Sequence, residues 1–131
     1  MIKKVLICED SLTAAYCIKN MLLQLGYESE IATTAQDTLE LLKKNKYDLL
    51  TLDILLPDIS GLALAKEIQK IESTKNLPII VISTTRQEQN DLNFDHNIVS
   101  WMEKSFDIHA LQSAIEKVTQ GLNESNPVEI T

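Results

Sequence analysis

Short apolar runs alternate along the chain with longer stretches in which apolar residues recur every three or four positions. Val5-Leu6-Ile7-Cys8 is a continuous apolar run of strand length, and it meets Glu9-Asp10 abruptly. Ala15, Ile18, Leu22 and Leu25 then recur at helical spacing, and Gly26 follows as a stop signal. Glu30-Ile31-Ala32 predicts a weaker strand, and Ala35, Leu39 and Leu42 mark a second helix. Leu49-Leu50-Thr51-Leu52 predicts a third strand that ends at Asp53. Gly61 precedes a third helix whose apolar face carries Leu64, Ala65, Ile68 and Ile71. Pro78 opens Ile79-Ile80-Val81-Ile82, the strongest strand signal in the chain. A fifth strand is predicted from Ile98 to Met102. The last helix carries Leu111, Ile115, Val118 and Leu122, with Asp107 as its N-cap.

A strand followed by a helix is therefore predicted five times over. Near-continuous apolar strands joined by helices imply a parallel sheet covered on both faces. Right-handed crossovers make it a doubly wound α/β sandwich, with ligands expected beyond the carboxyl ends of the strands, where the strand order reverses. One stretch breaks the rhythm. Residues 86–94 are polar all round except for Leu92 and Phe94, which predicts a short or mobile fourth helix. Beyond Gly121, Asn123-Glu124-Ser125-Asn126-Pro127 reads as a tail or the start of a linker, giving one domain over residues 1–122 and a tail over 123–131.

Bulk composition narrows this further. At 131 residues, 44% hydrophobic and 24% charged, the chain suits one globular domain able to bury a core without disulfides or metal staples. A formal charge of −7 argues against direct nucleic-acid binding and against an anionic membrane surface. The first apolar run is too short for a membrane span or a signal-peptide core. Two cysteines, Cys8 and Cys17, suit a reducing compartment, and the cytoplasm is the expected location. Cys8, inside an apolar run, is expected to be a small buried hydrophobe.

The chemistry-bearing residues fall where the strands stop. Glu9 and Asp10 follow the first strand, Asp53 ends the third, Ser83 ends the fourth, and Lys104 follows the fifth. Taken singly, each has an ordinary reading. An acidic pair suits a helix start, a serine caps or turns, and a lysine is commonly a solvated charge. Taken together, they place three carboxylates, a hydroxyl and an ammonium at one edge of a parallel sheet. Converging carboxylates repel one another, and a hard divalent cation with oxygen ligands, such as Mg²⁺, relieves that repulsion. Such a cation also neutralises charge on an incoming phosphoryl group. Lys104 adds a second positive charge, Ser83 adds a donor, and Asp53 is left as a nucleophile.

At this point the chain resembles the receiver domains of bacterial two-component response regulators, from Lys3 to about Leu122. The stretch from Tyr47 through Asp53 to Pro57 and Gly61 is similar to the family's phosphoacceptor strand and loop. Ile7-Cys8-Glu9-Asp10-Ser11 is similar to its acidic pair, Ile79–Ser83 to its hydroxyl-terminated strand, and Lys104 to its lysine. The resemblance implies a flavodoxin-like strand order 2-1-3-4-5, the order of the chemotaxis receiver. It implies Asp53 as phosphoacceptor, with Asp10 binding Mg²⁺ directly, Glu9 chiefly through water, and the Leu55 carbonyl as a further ligand. Ser83 and Lys104 would hold phosphoryl oxygens, and Trp101 would take the aromatic switch position together with Ser83. The implied partners are a sensor histidine kinase or a histidine phosphotransfer domain. A homodimer through the fourth helix, fifth strand and last helix is a further implied partner. No outside substrate would be turned over.

The chain departs from the family pattern in four places. Ser105 follows Lys104 where the family usually has proline in a cis bond, and a cis bond before a non-proline costs about 2.5–4 kcal/mol. Thr84 replaces Ala or Gly, Trp101 replaces Tyr or Phe, and Asp95-His96-Asn97 replaces a Gly-Ala turn. Three rival readings compete. A receiver-shaped binding module that is never phosphorylated would not need the full set of five residues. A flavodoxin-like cofactor protein would need a phosphate-cradling loop where Glu9-Asp10-Ser11 stands. An aspartate-nucleophile phosphatase would resemble an Asp-x-Asp pair, which Asp53-Ile54-Leu55 lacks.

Overall fold

A computed structural model of the chain describes residues 2–83 and 97–124. The predicted fourth helix, Thr84 and residues 125–131 lie outside the described residues, as do two of the three residues of the 95–97 loop. The elements run β1 (Lys4–Cys8), α1 (Leu12–Gln24), β2 (Glu28–Ala32), α2 (Ala35–Lys44), β3 (Leu49–Asp53), α3 (Gly61–Lys70), β4 (Ile79–Ser83), β5 (Ile98–Glu103) and α4 (Ile108–Glu124). The five strands form one sheet in the order β2-β1-β3-β4-β5, and every pairing is parallel. The expected doubly wound α/β architecture is the one observed.

Two separate cores follow from the strand alternation. Leu6, Cys8, Leu50, Leu52, Ile79 and Val81 face α2 and α3, where Leu42, Leu64, Ala65 and Ile68 close over them. Val5, Ile7, Leu49, Ile80 and Ile82 face the opposite side, against Ala15, Ile18 and Leu22 of α1 and Leu111, Ile115 and Val118 of α4. The three central strands are buried on both faces, which explains why they read as unbroken apolar runs. Cys8 is buried as expected.

The helix ends obey their local signals. Gly26 takes φ +94° after α1, and the N–H groups of Gly26 and Tyr27 donate to the carbonyls of Leu23 and Leu22 at 3.0 and 2.8 Å, a Schellman close. Asp107 caps α4 by accepting from the Ala110 N–H at 2.9 Å. The last helix runs through Gly121 to Glu124, so that glycine does not stop it. Ile71, expected on the third helix, is instead its C-cap.

The fifth strand holds the one irregularity that alternation did not foresee. Ile79 pairs with Ile98, but Ile80 pairs with Ser100, so Val99 is an extra residue in β5. The bulge puts Ile98 and Trp101, an odd number of residues apart, against the same α2/α3 core, while Met102 joins the α1/α4 core. The buried Asn97 side chain donates to the Lys75 carbonyl at 2.6 Å and fixes the start of this strand.

Candidate functional site

The carboxyl ends of β1, β3, β4 and the end of β5 meet at one edge of the sheet, at the point where β1 and β3 run in neighbouring positions although β2 intervenes in sequence. Glu9 is 1% exposed and Asp53 3%, whereas Asp10 is exposed at the mouth. Carboxylate oxygens of Glu9, Asp10 and Asp53 lie within 4.8 Å of one another. The Lys104 ammonium bridges the two buried acids, at 2.9 Å from Glu9 Oε1 and 3.1 Å from Asp53 Oδ2.

Backbone bonds set these positions. The Glu9 N–H donates to the Ala32 carbonyl at 3.0 Å, which extends the β1–β2 pairing by one residue. The Lys104 N–H donates to the Ser83 carbonyl at 2.7 Å, which carries the lysine one step past β5 and toward the acids. The Lys104–Ser105 bond is trans, so the lysine reaches Glu9 and Asp53 without the cis bond usual in the family. The Ser11 N–H donates to Glu9 Oε2 at 3.1 Å, and the Leu55 N–H donates to Asp53 Oδ1 at 3.2 Å. Leu55 lies two residues beyond Asp53 with its side chain 60% exposed.

Electrostatics mark the cluster as short of positive charge. Burial pushes the Glu9 carboxyl up to about 7, and the Lys104 ammonium only partly offsets that burial. For Lys104 itself, burial pulls downward, but the bonds to Glu9 and Asp53 outweigh it and hold the ammonium above its ordinary value. One ammonium facing three carboxylates leaves net negative charge at the site. An all-oxygen donor set of this kind suits a hard cation that keeps some of its waters.

Ser83 is buried at the end of β4, with the alternation of Ile79 and Val81 that faces the α2/α3 core. Trp101 stands in register with Val81 and packs against that core. Thus Glu9, Asp10, Asp53 and Lys104 are gathered into one cluster, and Ser83 sits beside it on the face that Trp101 shares.

Two contacts were not legible in the sequence. A Cβ on Gly61 would fall 2.1 Å from the Asp53 carbonyl oxygen, so the start of α3 lies against the backbone of Asp53 itself. Asp58 accepts from the Ala35 and Gln36 N–H groups at 3.0 and 2.9 Å. Neither shows in a pattern of spacing, because each depends on two segments brought together by folding.

A five-stranded parallel sheet with an acidic cluster and a lysine at its carboxyl edge is the arrangement expected of a receiver, a signalling module. The chain belongs to the response regulator receiver domain family, whose model matches residues 5–116. It is 30% identical to the response regulator ArlR of Staphylococcus saprophyticus over 128 residues, 97% of this chain and 57% of that protein. It is 33% identical to the aerobic respiration control sensor protein ArcB of Escherichia coli over 116 residues, 86% of this chain and 15% of that one. The chain therefore spans well under two thirds of these relatives. Among solved structures it is similar to the response regulator TrrA of Thermotoga maritima in complex with Mg²⁺ and BeF, with TM-score 0.79, 30% identity, and coverage of 88% of this chain and 98% of that one. Receiver domains act in two-component signalling, where they interact with histidine kinases or phosphotransfer partners and bind Mg²⁺ at an acidic pocket. Among the described residues, no helix is long and apolar enough to cross a membrane.

Proposed function

We propose that Asp53 accepts a phosphoryl group from a phosphohistidine on a histidine kinase or phosphotransfer domain, in a Mg²⁺-dependent reaction that switches a protein-interaction face. The observation that carries this reading is the buried Glu9–Lys104–Asp53 bridge with Asp10 exposed beside it. Asp10 and Glu9 would hold the cation, with Asp53 and the Leu55 carbonyl completing the protein ligands. Bound Mg²⁺ would neutralise charge on the transferring phosphoryl group.

A carboxylate oxygen of Asp53 forms the new bond to phosphorus as the phosphorus–nitrogen bond to the donor imidazole breaks, the electron pair staying on the ring nitrogen. Lys104 exchanges part of its pairing with Asp53 for a phosphoryl oxygen, so its charge is in place before the reaction. Ser83 donates its hydroxyl to another phosphoryl oxygen. Its movement toward that oxygen frees space beside Trp101 on the shared face, and the packing there shifts. The same groups permit hydrolysis of the aspartyl phosphate by water.

Asp53→Asn keeps the shape and removes the nucleophile. Incubation with radiolabelled acetyl phosphate and Mg²⁺ should label the wild-type chain and leave the variant unlabelled. Equal labelling of the two would sink the assignment of Asp53.

A further inference from the structure

The acidic cluster comes from the ends of β1 and β3, which pair in the sheet, while the loop between β3 and α3 carries the Leu55 carbonyl beside it; the end of β1 and this loop are separate backbone segments. Both are fastened to one short stretch, residues 32–36. On one side, the Glu9 N–H donates to the Ala32 carbonyl at 3.0 Å. On the other, the Asp58 carboxylate accepts from the Ala35 and Gln36 N–H groups at 3.0 and 2.9 Å. These bonds span 23 and 22 residues of sequence, so they are tertiary rather than local.

The helix does not need Asp58 for an ordinary cap. Thr34 already accepts from the Asp37 N–H at 3.0 Å, in the usual capping geometry. The extra carboxylate comes from the middle of the loop that carries Leu55. The ends of that loop are closed by the Gly61 N–H donating to the Ile54 carbonyl at 2.7 Å and by the Leu55 N–H on Asp53 Oδ1 at 3.2 Å. Leu56 packs against the core from within the loop. Asp58 is the polar tie that fastens its middle to another element. The two backbone bonds hold its carboxyl below the usual carboxylate range, so it stays ionised in this role.

We infer that Asp58 is a positioning residue for cation binding: by tying the Leu55 loop to the start of α2, it holds that loop, and the Leu55 carbonyl it carries, in a fixed place beside Glu9, Asp10 and Asp53. The inference rests on the reading of this cluster as a Mg²⁺ site. Rigid support of first ligands by outer hydrogen bonds is worth about 10–100-fold in metal affinity in other sites.

The test is Mg²⁺ titration of the full chain by calorimetry, with thermal melts run alongside. Asp58→Ala should weaken Mg²⁺ binding by about tenfold. Asp58→Asn keeps one acceptor oxygen but turns an NH2 toward the second N–H, breaking half of the tie, and should also weaken Mg²⁺ binding. Thr34→Ala removes a cap of the same helix without touching the loop. It should lower the melting temperature and leave Mg²⁺ affinity unchanged. Wild-type affinity in Asp58→Ala overturns the inference. So does an equal loss in Thr34→Ala, which would make the effect one of helix stability. If Asp58→Ala does not fold, the comparison of Asp58→Asn with Thr34→Ala decides on the same terms. A wild-type chain that binds no Mg²⁺ overturns the reading of the site itself, a result distinct from all of these.

Discussion

Glu9 and Asp53 are acids that have lost nearly all contact with water, and one ammonium serves both. Such an arrangement is stable only because Lys104 supplies hydrogen bonds to each carboxylate, and it leaves Asp10 as the acid facing solvent. Asp10→Ala should therefore weaken Mg²⁺ binding more than Glu9→Ala does, by at least about tenfold, the loss typical even of outer partners. Equal losses by calorimetry would contradict the division of roles. Thr51 is another polar residue in an apolar place: its hydroxyl is buried with no hydrogen-bond partner among the described residues, between Ile7 and Ile80 in register. Thr51→Val keeps the shape and removes the orphan group, and should stabilise the fold by about 1 kcal/mol in urea denaturation. The two thiols differ in the same way. Burial pushes Cys8 up to about 12, while Cys17 is exposed. An alkylating reagent at pH 8 should modify Cys17 and spare Cys8. Cys8 keeps its proton in the folded chain between the ordinary thiol value of 9.0 and about 12, where the unfolded chain loses it. The folded state then binds more protons, so stability falls as pH rises through that window. Cys8→Ala should flatten this part of the stability–pH curve.

The elements were legible where a signal was local. The apolar runs of β1, β3 and β4 mark strands buried on both faces, and Gly26 and Asp107 mark helix ends by their own conformational and capping chemistry. The bulge in β5 was not legible, because an extra residue is defined only against the strand it pairs with. It has a consequence for signalling. Val81 and Trp101 pair in register on one face, and Ser83 continues the alternation of Val81 at the site edge. Movement of Ser83 is therefore expected to be felt at Trp101, the chain's one tryptophan. Mg²⁺ with beryllofluoride should change the emission of Trp101, and Ser83→Ala should largely remove the change. Unaltered emission with the mimic bound would make Trp101 a static packing residue.

At the scale of the whole molecule, among the described residues the sheet ends on β2 at one side and β5 at the other. The β2 edge carries Glu28 and Glu30, with Lys4 paired to Glu30 at 2.7 Å, a charged edge that discourages further strand pairing. On β5, Val99 is 39% exposed among the described residues. We propose that the face around β5 and α4 is the one that changes partners on phosphorylation, by self-association or by binding another protein. Sedimentation with and without beryllofluoride and Mg²⁺ should show a larger species only with the mimic. An unchanged monomer would point instead to a different protein as the partner of that face.

By itself, the sequence determined the alternation of strands and helices, the two-sided burial of the sheet, and the residue types waiting at the strand ends. Each of these is a local property: the period of apolar positions, the conformational freedom of a glycine, the abrupt charge after an apolar run. Topology then required the marked residues to share an edge, because parallel strands all finish on the same side. The tertiary structure alone decided that Lys104 bridges Glu9 and Asp53 across a trans Lys104–Ser105 bond, since that contact joins residues 95 and 51 positions apart. It alone decided that Gly61 must lack a side chain against the Asp53 carbonyl and that Asp58 bonds to the start of α2. Distances between segments far apart in sequence are set by packing of the two cores, and no local pattern encodes them.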